Sequence, residues 1–281
     1  MLAVAAPSSV VGGVQAALDR VVVQMSQWKA ESDLSRFNRA DPGVWRELPP
    51  EFAHVVSAAL EIARASDGAF NPCLGPLTDR WGFGASGPVV SVPEDTDAGD
   101  RHIDFDPDTH RIRRSADAAL DLSGIAKGYG VDLAAEWLLT KGVRHFLLDV
   151  GGELRGEGIR PDGQPWWVDI EMPPTSPVPP YRVALHDLSA ATSGNYRRGF
   201  TADSQHYSHS FDPRTGRPIV NRVSSVTVLH RNCMIADGWA TALTVLGPTA
   251  AIALADAQGL AAYVIAGDRE YLSREWRAML D

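Results

Sequence analysis

Cysteine and long apolar runs are both scarce in this sequence of 281 residues. Its two cysteines, Cys73 and Cys233, stand far apart, so neither a metal-binding spacing nor a disulfide framework is present. We expect two small thiols that are buried or half-buried. The longest uncharged apolar stretches, such as residues 260–266, are much shorter than the roughly 20 residues of a membrane-spanning helix. No transmembrane segment is therefore expected.

Positive charge is in deficit, with 26 Lys and Arg against 35 Asp and Glu and a formal net charge of −9. Nucleic-acid-binding proteins gain most of their affinity by neutralising phosphates with a basic face, so this balance disfavours that class. The N-terminal residues MLAVAAPSSVVGG lack the basic segment and the long apolar run of a signal peptide. A lipoprotein signal would need an early cysteine, and the first cysteine is Cys73. We expect a soluble globular protein without an export signal in this chain.

The remaining composition is ordinary, with 44% hydrophobic and 22% charged residues, and the length suits one large domain or two lobes that share a core. Apolar residues spaced by four and three predict an amphipathic helix over residues 14–28. Its stripe comprises Val14, Leu18, Val21, Met25 and Trp28. A second helix is predicted from Pro50 to about residue 67. Its predicted inner face comprises Phe52, Val55, Val56, Ala59, Leu60 and Ala63.

Strands and helices mix in the rest of the chain. Short strands on either side of residues 106–109 predict a hairpin. Further strands are predicted over residues 120–122, 145–150, 166–171, 181–185, 206–211, 223–229 and 260–266, and we expect the strand 145–150 to be buried. Helices are predicted over residues 125–141 and 236–246, followed by one that Thr249 caps and Gly259 ends. Residues 84–101 and 173–180 predict loops. Since no regular strand–helix–strand alternation occurs, we expect an α+β fold with mixed, largely antiparallel sheets and flanking helices.

The segment 121–132 places a glycine-containing turn before a predicted helix. Free backbone N–H groups at a helix start attract anions, and Lys127 in the first turn adds a positive charge. This arrangement suits a phosphate or pyrophosphate, although the spacing matches neither a P-loop nor the dinucleotide fingerprint. A tight strand–helix turn with a solvated lysine is the alternative.

Asp237 and Thr241 lie four residues apart, so they share one face of the helix predicted over residues 236–246. A carboxylate and a hydroxyl placed in this way can hold Mg²⁺, which prefers oxygen ligands. The alternative is purely structural: the aspartate favours the helix dipole, and the threonine bonds back to the preceding turn.

Two further segments carry small polar residues beside glycines. His209 and Ser210 precede the turn 212–216, and a lone histidine of this kind is structural more often than catalytic. Ser193 lies on a strand that runs into a glycine turn. The set Ser193, His209 and Asp212 suggests a hydrolase triad, but no G-x-S-x-G elbow surrounds the serine, so we disfavour a triad.

In combination, seven ordered segments of the chain resemble the FAD:protein FMN transferases, also called the ApbE or flavin-transferase family. They are residues 31–38, 68–84, 121–128, 149–152, 191–198, 208–218 and 236–247. The resemblance spans roughly residues 20–270. It implies an α+β fold in which two lobes surround a central FAD cleft, within a single catalytic domain of residues 1–281.

The resemblance also implies a Mg²⁺-dependent reaction. The family cleaves the FAD pyrophosphate, attaches FMN through a phosphoester bond to a Thr or Ser of a target flavoprotein, and releases AMP. Such chemistry requires charge neutralisation on the pyrophosphate and alignment of the reacting oxygens. Asp237 and Thr241 match the family's metal-ligating side chains, and the Gly124 carbonyl matches its main-chain ligand. Lys127 is the candidate that steadies the phosphate during the reaction.

Several residues match the FAD-binding positions of the family. Asp121 matches a residue that contacts FAD, and the segment Ala69, Phe70 and Asn71 matches one that lines the FAD site, although Asp is commoner than Asn at position 71. Ser193 and Ser210 are also expected to contact FAD, the latter through its backbone.

Two aromatic or imidazole side chains complete the implied site. Trp28 stands where the family commonly has Tyr; its ring either stacks on the flavin or adenine plane or simply completes the apolar helix stripe. His209 matches a histidine considered to activate the acceptor hydroxyl, a general-base role open to an imidazole near neutral pH.

The sequence departs from the family pattern in two respects. An N-terminal strand with a Met-Gly-Thr motif is missing, so either the site is closed differently or the sequence is truncated. Asn195 replaces a common Asp. Two other functions fit the same residues: hydrolysis of FAD to FMN and AMP, and binding of FAD without catalysis. Many family members are envelope proteins, whereas nothing in this N-terminus supports export.

Overall fold

The computed structural model describes residues 2–3, 10–89, 92–93, 101–174, 176–196, 199–202 and 205–280. Within these residues the helices are α1 (Val10–Met25), α2 (Asp33–Arg39), α3 (Pro50–Ala65), α4 (Gly75–Arg80), α5 (Ala126–Thr140), α6 (Cys233–Leu246), α7 (Pro248–Gln258) and α8 (Arg274–Ala278). The strands are β1 (Leu2–Ala3), β2 (Arg46–Glu47), β3 (Ile103–Asp106), β4 (Arg111–Arg114), β5 (Phe146–Val150), β6 (Glu153–Glu157), β7 (Trp166–Asp169), β8 (Arg182–Leu185), β9 (Leu188–Gly194), β10 (Gly199–Ala202), β11 (Gln205–Ser208), β12 (Phe211–Asp212), β13 (Arg217–Pro218), β14 (Val223–His230), β15 (Ala261–Ala266) and β16 (Arg269–Leu272).

The chain divides into two compact units. The first unit comprises Met1–Val21, Gly124–Tyr196 and Asn221–Asp281, and the second unit comprises Val22–Ser123 and Arg197–Val220. No helix of the described residues has the length and apolarity that crossing a bilayer would require.

The first unit is built on a seven-stranded sheet with the order β1-β5-β6-β9-β14-β15-β16, in which every neighbouring pair is antiparallel. All six residues of β15 are buried, so this strand is covered on both faces. Because side chains alternate along a strand, Tyr263 and Ile265 share one face, where they pack with Trp276 of α8 and with the β7–β8 hairpin. On the sheet, β9 and β14 pack against α6.

Helices α5 and α6 are almost entirely enclosed in the first unit. Ten of the 15 residues of α5 and 11 of the 14 residues of α6 are buried. A helix that is apolar or small all round is buried on all sides, and this is the pattern of both sequences. The two helices pack against each other, and α5 also packs on β5 and β6.

The second unit contains α2, α3, α4 and three small antiparallel sheets, β2-β4-β3, β10-β11 and β12-β13. Helix α3 buries its apolar face, which includes Phe52, Val55, Val56 and Ala59. A separate aromatic cluster forms around Trp81 and Phe211, against which Phe83, Phe200 and Tyr207 pack.

The main expectations from the sequence are confirmed. The fold is α+β with antiparallel sheets, both predicted N-terminal helices form, and β3 and β4 make the predicted hairpin. Both cysteines are buried free thiols. Parts of the predicted loop 84–101, namely residues 90–91 and 94–100, lie outside the described residues, as do Arg197, Arg198 and residue 175 of the predicted loop 173–180.

Several local predictions are wrong. Residues 120–122 form no strand, because the only ladder contact there is a single bridge between Leu74 and Ala119. Helix α1 ends at Met25 rather than at residue 28. The predicted strand 206–211 is two strands, β11 and the start of β12. Thr249 caps no helix, because Gly247 flanks both α6 and α7 and Pro248 occupies the first position of α7.

The burial of strand β5 and of helix α3 differs from expectation. Strand β5 alternates between buried and accessible residues instead of being buried throughout. In α3, Leu60 and Ala63 are only partly buried, whereas Ile62 is buried. Strands β6 and β16 and the short helices α2, α4 and α8 were not predicted.

Candidate active site

At Gly128, helix α5 lies in close contact with helix α6. A Cβ atom at this position would lie 2.4 Å from the carbonyl oxygen of Cys233 and 2.8 Å from the Cα of Met234. Both obstacles are backbone atoms, which cannot turn away as a side chain can. Only glycine therefore permits the first turn of α5 to lie against the first turn of α6.

Asp132, one helical turn after Gly128, satisfies the N-terminus of α6. Its carboxylate accepts hydrogen bonds from the backbone N–H groups of Cys233 at 3.0 Å and Met234 at 2.8 Å, and from the guanidinium of Arg155 at 2.7 Å. The first N–H groups of a helix have no partner inside the helix, so an acceptor from another element stabilises this end. Asn232, the N-cap, accepts the next N–H group.

Asp237 makes the reciprocal connection from α6 to α5. The side chain is buried, and Oδ2 accepts a hydrogen bond from the backbone N–H of Gly128 at 3.0 Å. Each helix therefore supplies a carboxylate that binds the first turn of the other. The alternative that Asp237 merely favours the dipole of its own helix is wrong, because the N-cap of α6 is Asn232 and Asp237 is the fifth helical residue.

Three neutral oxygens meet beside the same helix face. The Thr241 hydroxyl lies 3.4 Å from the carbonyl oxygen of Gly124 and 3.4 Å from the hydroxyl oxygen of Ser193 on β9. A Cβ atom at position 124 would lie 2.8 Å from the Thr241 hydroxyl oxygen, so the backbone approaches this side chain closely. The structure thus brings together Gly124, Thr241 and Ser193, which are far apart in sequence.

Lys127 does not extend freely into solvent. Its ammonium group forms an ion pair with Glu153 at the start of β6, although half of the lysine side chain remains exposed. The Glu153 side chain is 1% exposed, and its second oxygen, Oε2, has no hydrogen-bond partner among the described residues. The sequence did not single out Glu153; its place directly after Gly151-Gly152 is the only local signal, because β6 itself was not predicted. We call Gly124, Lys127, Glu153, Ser193, Asp237 and Thr241 the α5–α6 cluster.

Burial dominates the electrostatics of this cluster. It raises the pKa of Glu153 to about 7; the charge of Asp237 adds to that shift, and Lys127 opposes it. Burial likewise raises the pKa of Asp237, against the influence of Lys127 and the Gly128 N–H. For Lys127, burial works against the charged form, but the charges of Asp237 and Glu153 prevail and raise its pKa.

In the second unit, Asp121 is held by three neighbours. Its Oδ1 accepts from the side-chain amide of Gln27 at 3.4 Å and from the backbone N–H of Ser123 at 2.9 Å, and its Oδ2 accepts from the Thr78 hydroxyl at 3.2 Å. These contacts leave the carboxylate partly accessible at a fixed position.

Asn71 and its neighbours form a turn after α3. The Asn71 side-chain oxygen accepts the backbone N–H of Cys73 at 2.8 Å, which stabilises the turn, and Ala69 and Phe70 are buried. Trp28 lies three residues beyond the end of α1 and is 55% exposed. The interpretation that Trp28 completes the apolar stripe of α1 is therefore wrong.

His209 and Ser210 lie between β11 and β12. The His209 ring centroid is 6.2 Å from that of Phe83, and the Ser210 N–H donates to the Ser208 hydroxyl at 3.0 Å. A hydrolase triad finds no support, since both oxygens of the Asp212 carboxylate accept from the guanidinium of its own neighbour Arg214 at 2.8 Å.

The donors of the α5–α6 cluster suit a hard cation better than a soft one. No group of three or more His, Cys, Asp or Glu side chains gathers into a metal cage in the part of the chain that the structure describes. The cluster offers instead carboxylate, hydroxyl and carbonyl oxygens. Mg²⁺ is commonly bound by one or two carboxylates with water and substrate phosphates, so it needs no such cage.

Comparison with known proteins gives consistent matches over nearly the whole chain. The sequence model of the ApbE family matches residues 3–264. A FAD:protein FMN transferase of Vibrio cholerae serotype O1 is 36% identical over an alignment of 275 residues that covers 94% of this chain and 82% of that protein.

Solved structures agree with the sequence matches. The flavinyl transferase ApbE of Pseudomonas stutzeri, in its apo form, matches with a TM-score of 0.88 at 35% identity, over 98% of this chain and 89% of that one. The flavin transferase ApbE of Vibrio cholerae matches with a TM-score of 0.88 at 34% identity, over 98% and 91% of the two chains.

Proposed function

Because this chain belongs to the ApbE family, we propose that it is a FAD:protein FMN transferase. The reaction cleaves FAD, joins FMN through a phosphoester bond to a Thr or Ser of an acceptor flavoprotein, and releases AMP. The observation that carries the proposal is the α5–α6 cluster, in which oxygen ligands and a lysine lie together. The family match over residues 3–264 supports a single catalytic unit made of the whole chain.

The residues of the cluster fit Mg²⁺. The Gly124 carbonyl, the Thr241 hydroxyl and the Asp237 carboxylate would hold it, since the first two already lie 3.4 Å apart and Asp237 is one turn from Thr241. The buried Oε2 of Glu153 has no partner in the described structure, which indicates an excess of negative charge that a cation would offset. When bound, Mg²⁺ supplies charge neutralisation on the pyrophosphate oxygens.

Lys127 and the start of α5 bind the phosphates in this proposal. An ammonium group next to a helix N-terminus provides two sources of positive potential for an anion. The half-exposed stem of Lys127 allows the group to reach a ligand while Glu153 anchors it. Ser193, which contacts Thr241, also contacts FAD in this proposal.

Further residues contact FAD in this proposal. Asp121 and Asn71 accept or donate hydrogen bonds, Ala69 and Phe70 line the site, and Ser210 contributes its backbone. Trp28 stacks on a ring of the ligand, a role that its 55% exposure leaves open.

His209 acts as the general base. Its imidazole takes the proton of the acceptor hydroxyl while that oxygen forms a bond to the phosphorus of the FMN half. The bond from this phosphorus to the bridging oxygen breaks, and AMP leaves with that oxygen. Proton removal makes the hydroxyl oxygen a competent nucleophile.

The test incubates the protein with FAD, Mg²⁺ and a threonine-bearing acceptor, followed by mass spectrometry. An acceptor mass gain equal to FMN, together with AMP, is expected. Free FMN with an unmodified acceptor would instead establish hydrolysis, and tight FAD binding without AMP would establish a non-catalytic protein. Asp237→Ala should abolish turnover, whereas Asp268→Asn, an exposed carboxylate of the same unit, should leave it unchanged.

A further inference from the structure

Glu153 occupies a position that the fold alone does not explain. Its side chain is 1% exposed, one oxygen binds the Lys127 ammonium, and Oε2 has no hydrogen-bond partner within the described residues. Burying a carboxylate oxygen without a partner destabilises a protein, so such an atom calls for a functional reason. An apolar residue at the first position of β6 would pack there without this penalty.

The charges around Glu153 do not balance. Glu153 and Asp237 carry two negative charges when ionised, and Lys127 carries one positive charge. The next cation along β6, Arg155, is engaged elsewhere, because its guanidinium binds Asp132 and Glu157. The α5–α6 cluster therefore retains one uncompensated negative charge beside the helix face that presents Asp237 and Thr241.

We propose that Glu153 is a positioning residue that holds Lys127 in place and keeps the α5–α6 cluster negative enough to bind a divalent cation. Without Glu153, the ammonium of Lys127 would neutralise Asp237 and repel the cation. With Glu153 present, the lysine is anchored by a carboxylate that is not itself a proposed ligand, and Asp237 stays available. This inference rests on the proposed cation site, and it assigns to Glu153 a role that acts through charge.

The geometry favours this assignment over a purely structural one. Glu157, at the other end of β6, is also a buried glutamate, but two guanidinium nitrogens of Arg155 donate to its Oε1 at 2.8 Å and 2.5 Å. Among the described residues, neither oxygen of Glu157 is both buried and without a partner. By contrast, Oε2 of Glu153 is buried without a hydrogen-bond partner in the described part of the chain, and the Lys127 side chain that Glu153 binds is half exposed.

The experiment measures Mn²⁺ binding by electron paramagnetic resonance at pH 8, without FAD, for the wild type and for Glu153→Gln, Lys127→Met and the double variant. We expect Glu153→Gln to weaken Mn²⁺ binding by about tenfold or more, because it removes a full negative charge near the ion. Lys127→Met should bind Mn²⁺ at least as tightly as the wild type. The double variant should recover the affinity that Glu153→Gln loses, since its net charge equals that of the wild type.

Recovery in the double variant is the decisive readout, because a structural defect caused by losing Glu153 would not be repaired by removing Lys127. Glu157→Gln is the matched control and should leave Mn²⁺ affinity unchanged. Each of three results would overturn the inference while the proposed cation site stands. They are an unaltered Mn²⁺ affinity in Glu153→Gln, weaker Mn²⁺ binding in Lys127→Met, and no recovery of affinity in the double variant. Absence of Mn²⁺ binding in the wild type would overturn the cation site as well. If Glu153→Gln does not fold, the Mn²⁺ affinity of Lys127→Met alone still tests whether the positive charge of Lys127 opposes cation binding.

Discussion

Two buried carboxyl groups, those of Glu153 and Asp237, set the electrostatics of the first unit. Neither is neutralised by a surrounding ring of donors: Asp237 receives one backbone N–H, and Glu153 receives one ammonium. Burial therefore raises the pKa of both groups. Raised carboxyl pKa values in a cluster of this kind are typical of functional sites, where stability is given up for reactivity.

The raised pKa of Glu153 predicts that folding stability depends on pH. Burial raises this pKa from 4.5 to about 7, so the folded protein keeps a proton that the unfolded chain releases. Its contribution favours folding below about pH 4.5 and is lost as the pH rises through 7. The free energy of unfolding should fall by about 2–3 kcal/mol between pH 5 and pH 8 from this group.

Urea denaturation of the wild type and of Glu153→Gln at the two pH values checks this expectation. Glu153→Gln should lose most of that pH dependence, whereas Glu136→Gln, an exposed residue of α5, should keep the wild-type profile. Parallel profiles for the wild type and Glu153→Gln would contradict the prediction.

His209 is the residue on which transfer chemistry depends most directly. His209→Ala should slow FMN transfer by about 10²–10⁴-fold, the usual loss when a general base is removed. Initial rates with an acceptor protein at pH 7 provide the measurement. The control is His186→Ala, because His186 is an exposed histidine whose ring lies 3.1 Å from the carbonyl oxygen of Gly158 and 3.8 Å from the carboxylate of Asp187. Equal rates for the two variants would make His209 a structural residue.

At the scale of elements, α5 and α6 are joined by reciprocal caps. Asp132 on α5 accepts N–H groups at the start of α6, and Asp237 on α6 accepts an N–H group at the start of α5. Each carboxylate also lies near the positive end of the partner's dipole. This arrangement fixes the rotation of α6, and with it the direction in which Asp237 and Thr241 point.

Removing the charge of Asp132 should therefore destabilise the protein. Asp132→Asn keeps one acceptor oxygen but loses the ion pair with Arg155, so the free energy of unfolding should fall by about 3 kcal/mol. Denaturant titration measures it. Asp104→Asn removes an ion pair with Arg113 in which both side chains are more than 40% exposed, and it should cost at most about 1 kcal/mol. Similar losses in the two variants would argue against the special importance of the α5–α6 connection.

The close approach at Gly128 gives a second prediction for these elements. Gly128→Ala should destabilise the protein by about 1–3 kcal/mol, because its Cβ would lie 2.4 Å from a backbone oxygen. Gly12→Ala, in α1, meets no atom within 4 Å and should stabilise by about 0.5–1 kcal/mol through better helix propensity. Thermal melts of both variants test the contrast, and stabilisation by Gly128→Ala would show that the helices can separate.

At the scale of the whole molecule, the α5–α6 cluster is assembled from four separate stretches of sequence. The turn before α5 supplies Gly124 and the first turn of α5 supplies Lys127. Strand β6 supplies Glu153, β9 supplies Ser193, and α6 supplies the remaining two residues. The seven-stranded sheet makes this possible, because β6 and β9 are neighbours in it and α6 packs on β9. Ligands that bind this cluster should consequently stabilise the fold as a unit.

A ligand-stabilisation experiment measures that coupling. FAD with Mg²⁺ at about 100 times the dissociation constant should raise the free energy of unfolding of the wild type by about 2.7 kcal/mol. Asp237→Ala should lose the part of this gain that depends on Mg²⁺, while Asp268→Asn should retain it. Thermal unfolding with and without a chelator separates the two contributions. A Mg²⁺-dependent shift in Asp237→Ala would place the cation elsewhere.

Much of the fold follows from local patterns in the sequence. Helices α1 and α3 are predicted by the spacing of their apolar residues, because a helix that buries one face repeats apolar residues every three or four positions. In α1 these residues are Val14, Leu18, Val21 and Met25. The hairpin β3–β4 follows from its turn residues for the same reason. The strand predicted at residues 120–122 fails because three apolar and polar residues in alternation do not say whether a partner strand lies beside them.

Local sequence patterns are sufficient for the α+β class, the family resemblance, and the placement of Asp237 and Thr241 on one helix face, which depends only on helical periodicity. Only the packed fold shows that Glu153 binds Lys127, that Asp132 and Asp237 each accept N–H groups from the other's helix, and that Ser193 contacts Thr241. These contacts join residues from different elements. Their existence depends on how the sheet orders its strands and how closely two helices can approach, and no local spacing encodes either property.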